Sequence, residues 1–249
     1  MSYLTVAARR IQNRVRCDGD AFIVIDGEER SGKSSFMLRF ASLIDTSFTL
    51  DNIVWRKGKL IPMIYSLPKY SVVVHDELGI DAINRRFMSA PNTELRQASM
   101  VWGDQNKVVM GLIPSFWELD PGLRNKRTYL WIHVEMYSRS DGTLDRGYAD
   151  FHYRKGSKWY PEPRWDEVCT QRFDSVPDDI MQAYKLRKGK AVKEALDEMA
   201  EEEMWHKNSE RLIVDAYDRG VRQAEIARVF NRSQQRISQI VNKHRGPDA

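Results

Sequence analysis

Short apolar runs alternate along the chain with stretches of helical period. Leu4, Val6, Ala7, Ala8, Ile11 and Val15 recur at roughly helical spacing with arginines opposite, which predicts a helix or arm within 1–20. Asp18-Gly19 ends it, because that dipeptide favours a turn. Ala21 to Asp26 is a compact run with β-branched residues and reads as a buried strand. Ser34 to Ile44 then carries Phe36, Met37, Phe40, Ala41 and Ile44 on one face of an amphipathic helix. Val72–Asp76 and Val108–Leu112 predict two more buried strands, with weaker candidates at Ile53–Trp55 and Met63–Leu67. A helix is expected over 93–103 and a strand over 128–137. Tyr148–Tyr153 and Ser157–Tyr160 read as a hairpin around a turn at 154–157. Strands alternating with helices predict an α/β domain over 21–177, with a mostly parallel sheet and helices on both faces.

Composition shifts after Pro161-Glu162-Pro163. Residues 178–208 hold no proline and crowd Glu194, Asp197, Glu198, Glu201, Glu202 and Glu203 into one stretch, which predicts a charged helical connector. A small all-α module is expected over 209–249. Its first helix turns Leu212, Ile213, Ala216 and Tyr217 inward and stops at Gly220. Its second buries Ala224, Ile226, Ala227 and Phe230, and its third, capped by Ser233, buries Ile237, Ile240 and Val241.

A chain of 249 residues can hold one sizeable core and a small second domain. With 42% hydrophobic and 30% charged residues it is neither disordered throughout nor collagen-like. No apolar run approaches the roughly 18 residues of a membrane span, and no apolar segment follows Arg9, Arg10, Arg14 and Arg16 as a secretory signal requires. Cys17 and Cys169 lie far apart with no CxxC, so two reduced thiols in a cytoplasmic protein are expected rather than a disulfide framework or zinc ribbon. A net charge of +4 is compatible with nucleic acid without arguing for it. The distribution of the charge says more: Arg228, Arg232, Arg236, Lys243 and Arg245 follow one another with no acidic residue between.

The most specific chemical signal is Gly27-Glu28-Glu29-Arg30-Ser31-Gly32-Lys33-Ser34-Ser35, which satisfies GxxxxGK[ST] between a predicted strand and a predicted helix. Glycines let backbone N–H groups wrap a polyphosphate, and the helix N-terminus adds partial positive charge. Lys33 is expected to reach the β- and γ-phosphates of ATP, and Ser34 to ligate Mg²⁺. A second acidic strand end completes such a site. Here Val72-Val73-Val74-His75-Asp76-Glu77 supplies Asp76 for Mg²⁺ and Glu77 to polarise an attacking water.

These two motifs, with the segment Val108 to Arg124, resemble the additional-strand, catalytic-glutamate P-loop ATPases, which include FtsK/HerA-type DNA translocases, viral packaging ATPases and zonula-occludens-toxin-like proteins. The resemblance covers about residues 20–137 and implies a RecA-like three-layer sandwich working as a homo-oligomeric ring. It makes Ser115 the polar sensor, where Gln, Asn or Thr is commoner, and Arg124 a finger reaching a neighbouring subunit, with Arg85, Arg86 and Arg96 as rivals. The toxin-like relatives carry a membrane segment, and none is evident here.

The C-terminal pattern resembles the helix-turn-helix family, in the style of sigma-factor region 4 or small transposases. That likeness makes Arg232, Ser233, Gln234, Gln235, Arg236, Gln239, Lys243 and Arg245 the candidate DNA contacts. Together the halves imply a Mg²⁺-dependent ATPase acting on DNA, as a viral or mobile-element translocase or packaging motor with possible protein partners from the same element. A replication or transposition ATPase that loads another machine, and an ATP-responsive transcription regulator, are the alternatives.

Overall fold

The computed structural model describes residues 2–56, 58–76, 97–156 and 163–245. The chain divides into two compact units, Met1–Ala191 and Val192–Ala249. The first is an α/β unit around a seven-stranded sheet in the order β2-β3-β4-β1-β5-β6-β7. Its strands are β1 (Ala21–Gly27), β2 (Ile53–Val54), β3 (Val72–His75), β4 (Val108–Leu112), β5 (Thr128–Ser138), β6 (Leu144–Lys155) and β7 (Arg164–Arg172). β2, β3, β4, β1 and β5 run parallel, and β5, β6 and β7 pair antiparallel.

β1, β3 and β4 are buried along their whole length because both of their faces are covered, and all but Asp26, Gly27, His75 and Gly111 of their residues are apolar. On one face α1 (Tyr3–Arg16) and α2 (Lys33–Ile44) bury Ile11, Phe36 and Phe40 against Ile23, Ile25, Ile132 and Phe151. On the other, α3 (Leu60–Ser66), a helical stretch at 97–101 and the 3₁₀ turn Phe116–Glu118 bury Leu60, Ile64, Trp102 and Phe116 against Phe22, Val24 and Val73. From β1 the chain moves out to β2, returns through β3 to β4, and only then crosses to β5 on the other flank of β1. Ligands of open α/β sheets settle at such a reversal, beyond the carboxyl ends of the strands.

Two segments differ from the sequence reading, and a third is described only in part. The sequence offers Met63–Leu67 as a weak strand, yet the segment falls largely within α3, where Leu60 and Ile64 point inward one turn apart. A five-residue apolar run does not separate strand from helix, and Pro62 in the first turn gives up an N–H that has no helical partner anyway. The expected partner of Tyr148–Tyr153 was Ser157–Tyr160, which lies outside the described residues. β6 pairs instead with β5 and with β7. β7 is an edge strand rich in Arg, Asp, Glu and Thr and mostly exposed, so its alternation is faint. Of the helix expected over 93–103, residues 97–101 are helical and 93–96 lie outside the described residues.

The connector is a single helix, α4 (Asp178–Asp218), which begins in the first unit, crosses the division at 191/192 and continues past 208. In the second unit its last turns pack Ile213 against Ile226 and Ala227 of α5 (Gln223–Val229) and Ile237, Ile240 and Val241 of α6 (Gln234–Arg245). Gly220, at φ 84°, closes α4, with its N–H on Tyr217 O and that of Val221 on Ala216 O. Leu212 and Ala224, expected inward, are exposed, and Phe230 packs at the edge of this core. No helix among the described residues is long and apolar enough to cross a membrane.

Candidate functional site

The loop between β1 and α2 has the backbone that its sequence demands. Gly27 sits at φ 134°, and a Cβ there would lie 2.1 Å from the carbonyl oxygen of Val134 on β5. Gly32 sits at φ 108° as the left-handed N-cap of α2, with Arg30 also left-handed at 64°. No side chain caps α2, so its first N–H groups face the loop. Glu28, Glu29 and Arg30 are exposed. Ser31 is fully buried, and its Oγ has no hydrogen-bond partner among the described residues.

Lys33 folds back over this loop and donates to the carbonyls of Gly27 and Glu28, each at 2.5 Å. Burial holds its pKa below the ordinary lysine value. The carboxylates of Asp26 and Glu29 oppose that shift, and the charge of Lys188 adds to it. Ser35, one residue past the fingerprint, accepts from the N–H of Val176 at 3.0 Å and so ties α2 to the chain entering α4.

Asp76 follows β3, which is separated from the strand leading into the loop by β4 alone. It is 1% exposed. Its Oδ2 accepts from the indole of Trp55 at 3.0 Å and from the hydroxyl of Tyr184, and its Oδ1 lies 3.5 Å from the ammonium of Lys188. The same Tyr184 hydroxyl is 3.0 Å from Ser34 Oγ. Ser34 and Asp76, the two expected metal ligands, are therefore joined through one oxygen atom. Glu77, the expected general base, and the rival fingers Arg85, Arg86 and Arg96 lie outside the described residues.

Asp26, the residue before the loop, is a second buried carboxylate. It accepts from Phe116 N at 2.7 Å, Trp131 Nε1 at 2.7 Å and His133 Nδ1 at 2.8 Å. The hydrogen bond to Asp26 raises the His133 pKa above its ordinary value despite partial burial. Through Phe116 N, Asp26 anchors the turn that carries Ser115. Ser115, Gly27 and Glu28 line one cavity of about 430 Å³ with Asp26, His133 and Glu135.

Arg124, the expected finger towards a neighbouring subunit, lines a different cavity of its own chain. It lies in the turn Leu123–Arg127, donates to Trp117 O at 3.0 Å and holds its guanidinium 5.2 Å from the Trp117 ring centre. It lines a neighbouring cavity with Trp131, His152 and Trp165, not the one beside the loop. His152 stacks on Trp131 at 4.1 Å, and burial lowers its pKa.

In the second unit, Gln234, Gln235, Arg236, Gln239 and Lys243 are exposed on α6. Ser233 Oγ accepts from Arg236 N at 3.2 Å, the capping role expected of it, and Arg236 Nη1 donates to Gln239 Oε1 at 3.2 Å. The basic run is less free than its sequence suggests. Lys243 and His244 sit 3.4 and 3.3 Å from Glu210 of α4, and Arg232 approaches His206 and Ser209. Arg245 is the last residue of α6.

Asp26, Trp55, Tyr184 and Lys188 were not singled out as site residues from the sequence. Asp26 carried a signal, since an acid closing a buried strand beside a phosphate loop needs partners. Tyr184 and Lys188 carried none, being one aromatic and one lysine in a charged helix 150 residues away along the chain from Ser34. Among the described residues no three His, Cys, Asp or Glu side chains gather as a metal cage. No protein-family model and no curated protein matches this chain.

Proposed function

We propose that residues 2–191 form a Mg²⁺-dependent ATP hydrolase and that the C-terminal unit brings it to DNA, as in a viral or mobile-element translocase or packaging motor. The observation that carries the reading is the convergence at the carboxyl edge of the sheet. A glycine loop with an uncapped helix start, a lysine curled over it, and a serine and an aspartate from separate elements meet around one hydroxyl. The order β3-β4-β1, with one strand between the acidic strand and the loop strand, supports the additional-strand class.

The donor set fits Mg²⁺. A serine hydroxyl and one carboxylate are hard oxygen ligands, and this ion is held by one or two such groups plus substrate phosphates and water rather than by an all-protein cage. When bound, it would neutralise charge on the β- and γ-phosphates. Lys33, released from the Gly27 and Glu28 carbonyls, supplies a further positive charge to the same oxygens. Glu77 is assigned to the attacking water from its place after Asp76 in sequence. Ser115 lines one cavity with Gly27 and Glu28, which supports its assignment as the sensor.

Support for a DNA role comes from α6, whose exposed Gln234, Gln235 and Arg236 lie in its first turn, where a reading helix presents its base contacts. The test is ATP turnover by the full chain against DNA length, with oligomeric state measured in the same buffer. Turnover that rises with DNA length is expected of a motor. Turnover indifferent to DNA, together with tight site-specific binding, would instead favour a nucleotide-responsive regulator.

A further inference from the structure

The chain from Phe173 to Lys188 crosses the loop and its metal ligands and is not needed for any step above. Phe173 closes over Gly32, where a Cβ would meet its ring at 3.6 Å, and packs edge-on against Phe36. Val176 N bonds Ser35 Oγ, and Arg187 pairs with Asp51 at 2.5 Å, fixing the first turns of α4. Between these anchors Tyr184, 2% exposed, bonds both Ser34 Oγ and Asp76 Oδ2. Trp55 shares Oδ2, and Lys188 faces Oδ1. Both oxygens of the aspartate therefore meet positive or donating groups of the chain itself. A divalent cation needs the lone pairs of the same carboxylate and the same serine oxygen.

We propose that this strap is an inhibitory latch on the metal position: the Tyr184 phenol and the Lys188 ammonium hold Ser34 and Asp76 in a closed pair, and a Mg²⁺–nucleotide complex binds only by displacing them. The inference rests on the phosphate-loop reading and adds a regulatory step to it. Because binding draws on the open fraction alone, the apparent affinity is the intrinsic affinity reduced by that fraction. Hydrogen bonds to an ionised acceptor are stronger than neutral ones, so latching at a carboxylate keeps the open fraction small. The latch acts on the metal more than on the nucleotide, since Tyr184 engages the side-chain oxygens of Ser34 and Asp76, the two groups that the metal would use.

The experiment uses the full chain and a fluorescent ADP analogue, titrated with and without Mg²⁺. Tyr184→Phe removes the hydroxyl and keeps the ring beside Trp55. Its dissociation constant for the analogue with Mg²⁺ should fall at least about five-fold, while the Mg²⁺-free constant moves less than about two-fold. Lys188→Gln, at a side chain that is partly exposed, should move the Mg²⁺ value in the same direction by less. Weaker binding with Mg²⁺ in Tyr184→Phe would show that the tyrosine holds the ligand, and overturns the latch. An unchanged Mg²⁺ dependence, or an equal gain with and without the metal, overturns it as well. Should neither the wild type nor the variants bind the analogue under any condition, the phosphate-loop reading falls and the latch with it.

Discussion

The loop after β1 and the exposed face of α6 are both proposed phosphate contacts, but they rest on different supports. The loop is held by buried backbone. Gly27 lies against the Val134 carbonyl, Asp26 takes three hydrogen bonds from two other elements, and Ser35 is tied to Val176. The α6 face stands on a core whose buried members are six apolar side chains, and its polar residues project into solvent from a regular helix. Where chemistry needs atoms fixed around a reacting group, the fold commits strands and buried carboxylates. Where it needs only a row of donors at helical spacing, a small helical unit is enough. The first kind of site should be sensitive to changes in backbone shape, the second to changes in side-chain identity.

The strongest way to break this contrast is Gly27→Ala. A methyl group 2.1 Å from the Val134 carbonyl oxygen, at φ 134°, forces the end of β1 away from β5. A loss of about 3 kcal/mol or more is expected for the first unit, read as a lowered thermal midpoint. An unchanged midpoint would mean that the loop is not held by its neighbours.

Next in size is Ile237→Ala, which empties a fully buried position of the second unit. The expected loss is about 2–5 kcal/mol, confined to that unit. Hydrogen exchange should show α5 and α6 opening while protection in β1 and β4 is unchanged. Opening in both places would show that the two units fold as one.

Smaller still is Arg236→Ala. The side chain is exposed, so thermal stability should stay within about 0.5 kcal/mol. DNA affinity should fall by about 1–3 kcal/mol at a preferred site if the guanidinium reads a base edge. If it meets phosphate alone, binding should weaken evenly across sequences and with a shallower salt slope. Unaltered DNA affinity in a fluorescence-anisotropy titration would remove α6 as the contact surface.

The finest prediction separates two histidines near the loop. The pKa of His133 is raised in the folded state by Asp26, so its stabilising effect is full below about 6.5 and fades as pH rises through the folded value. The pKa of His152 is lowered by burial on Trp131, so its neutral ring supports the fold above about 6.5 and loses that effect as pH falls. In urea titrations at pH 5.5 and 8, His133→Gln should therefore be more damaging at the acid value. His152→Gln should be more damaging at the alkaline one. Parallel behaviour of the two variants would contradict these environments.

Much of the first site was legible in sequence because its demands are local. A glycine loop between a buried strand and an amphipathic helix fixes Gly27, Gly32 and Lys33 by spacing alone, and the apolar run 72–75 marks the strand that delivers Asp76. The rest arrives from far along the chain and leaves no periodic trace. Tyr184 reaches Ser34 and Asp76 from a helix whose composition reads as solvated throughout. The edge strand β7 hides its alternation under charge, and α3 is too short for its period to register. In the second unit the hydrophobic spacing located all three helices, while the pairing of Lys243 and His244 with Glu210 depends on how those helices fold together. Arg124 fits a motif by spacing, and its contact with Trp117 within the chain leaves no trace in that spacing.

The proposal that the loop at Gly27–Ser34 and the acids after β3 hydrolyse ATP is checked by steady-state ATP turnover and equilibrium ATP binding in wild-type protein and Glu77→Gln, each with and without Mg²⁺. The hydrolase reading predicts Mg²⁺-dependent turnover in the wild type, and in the variant a rate lower by about 10²-fold or more with ATP still bound. Equal rates in the two proteins, or no ATP binding by either, would contradict it.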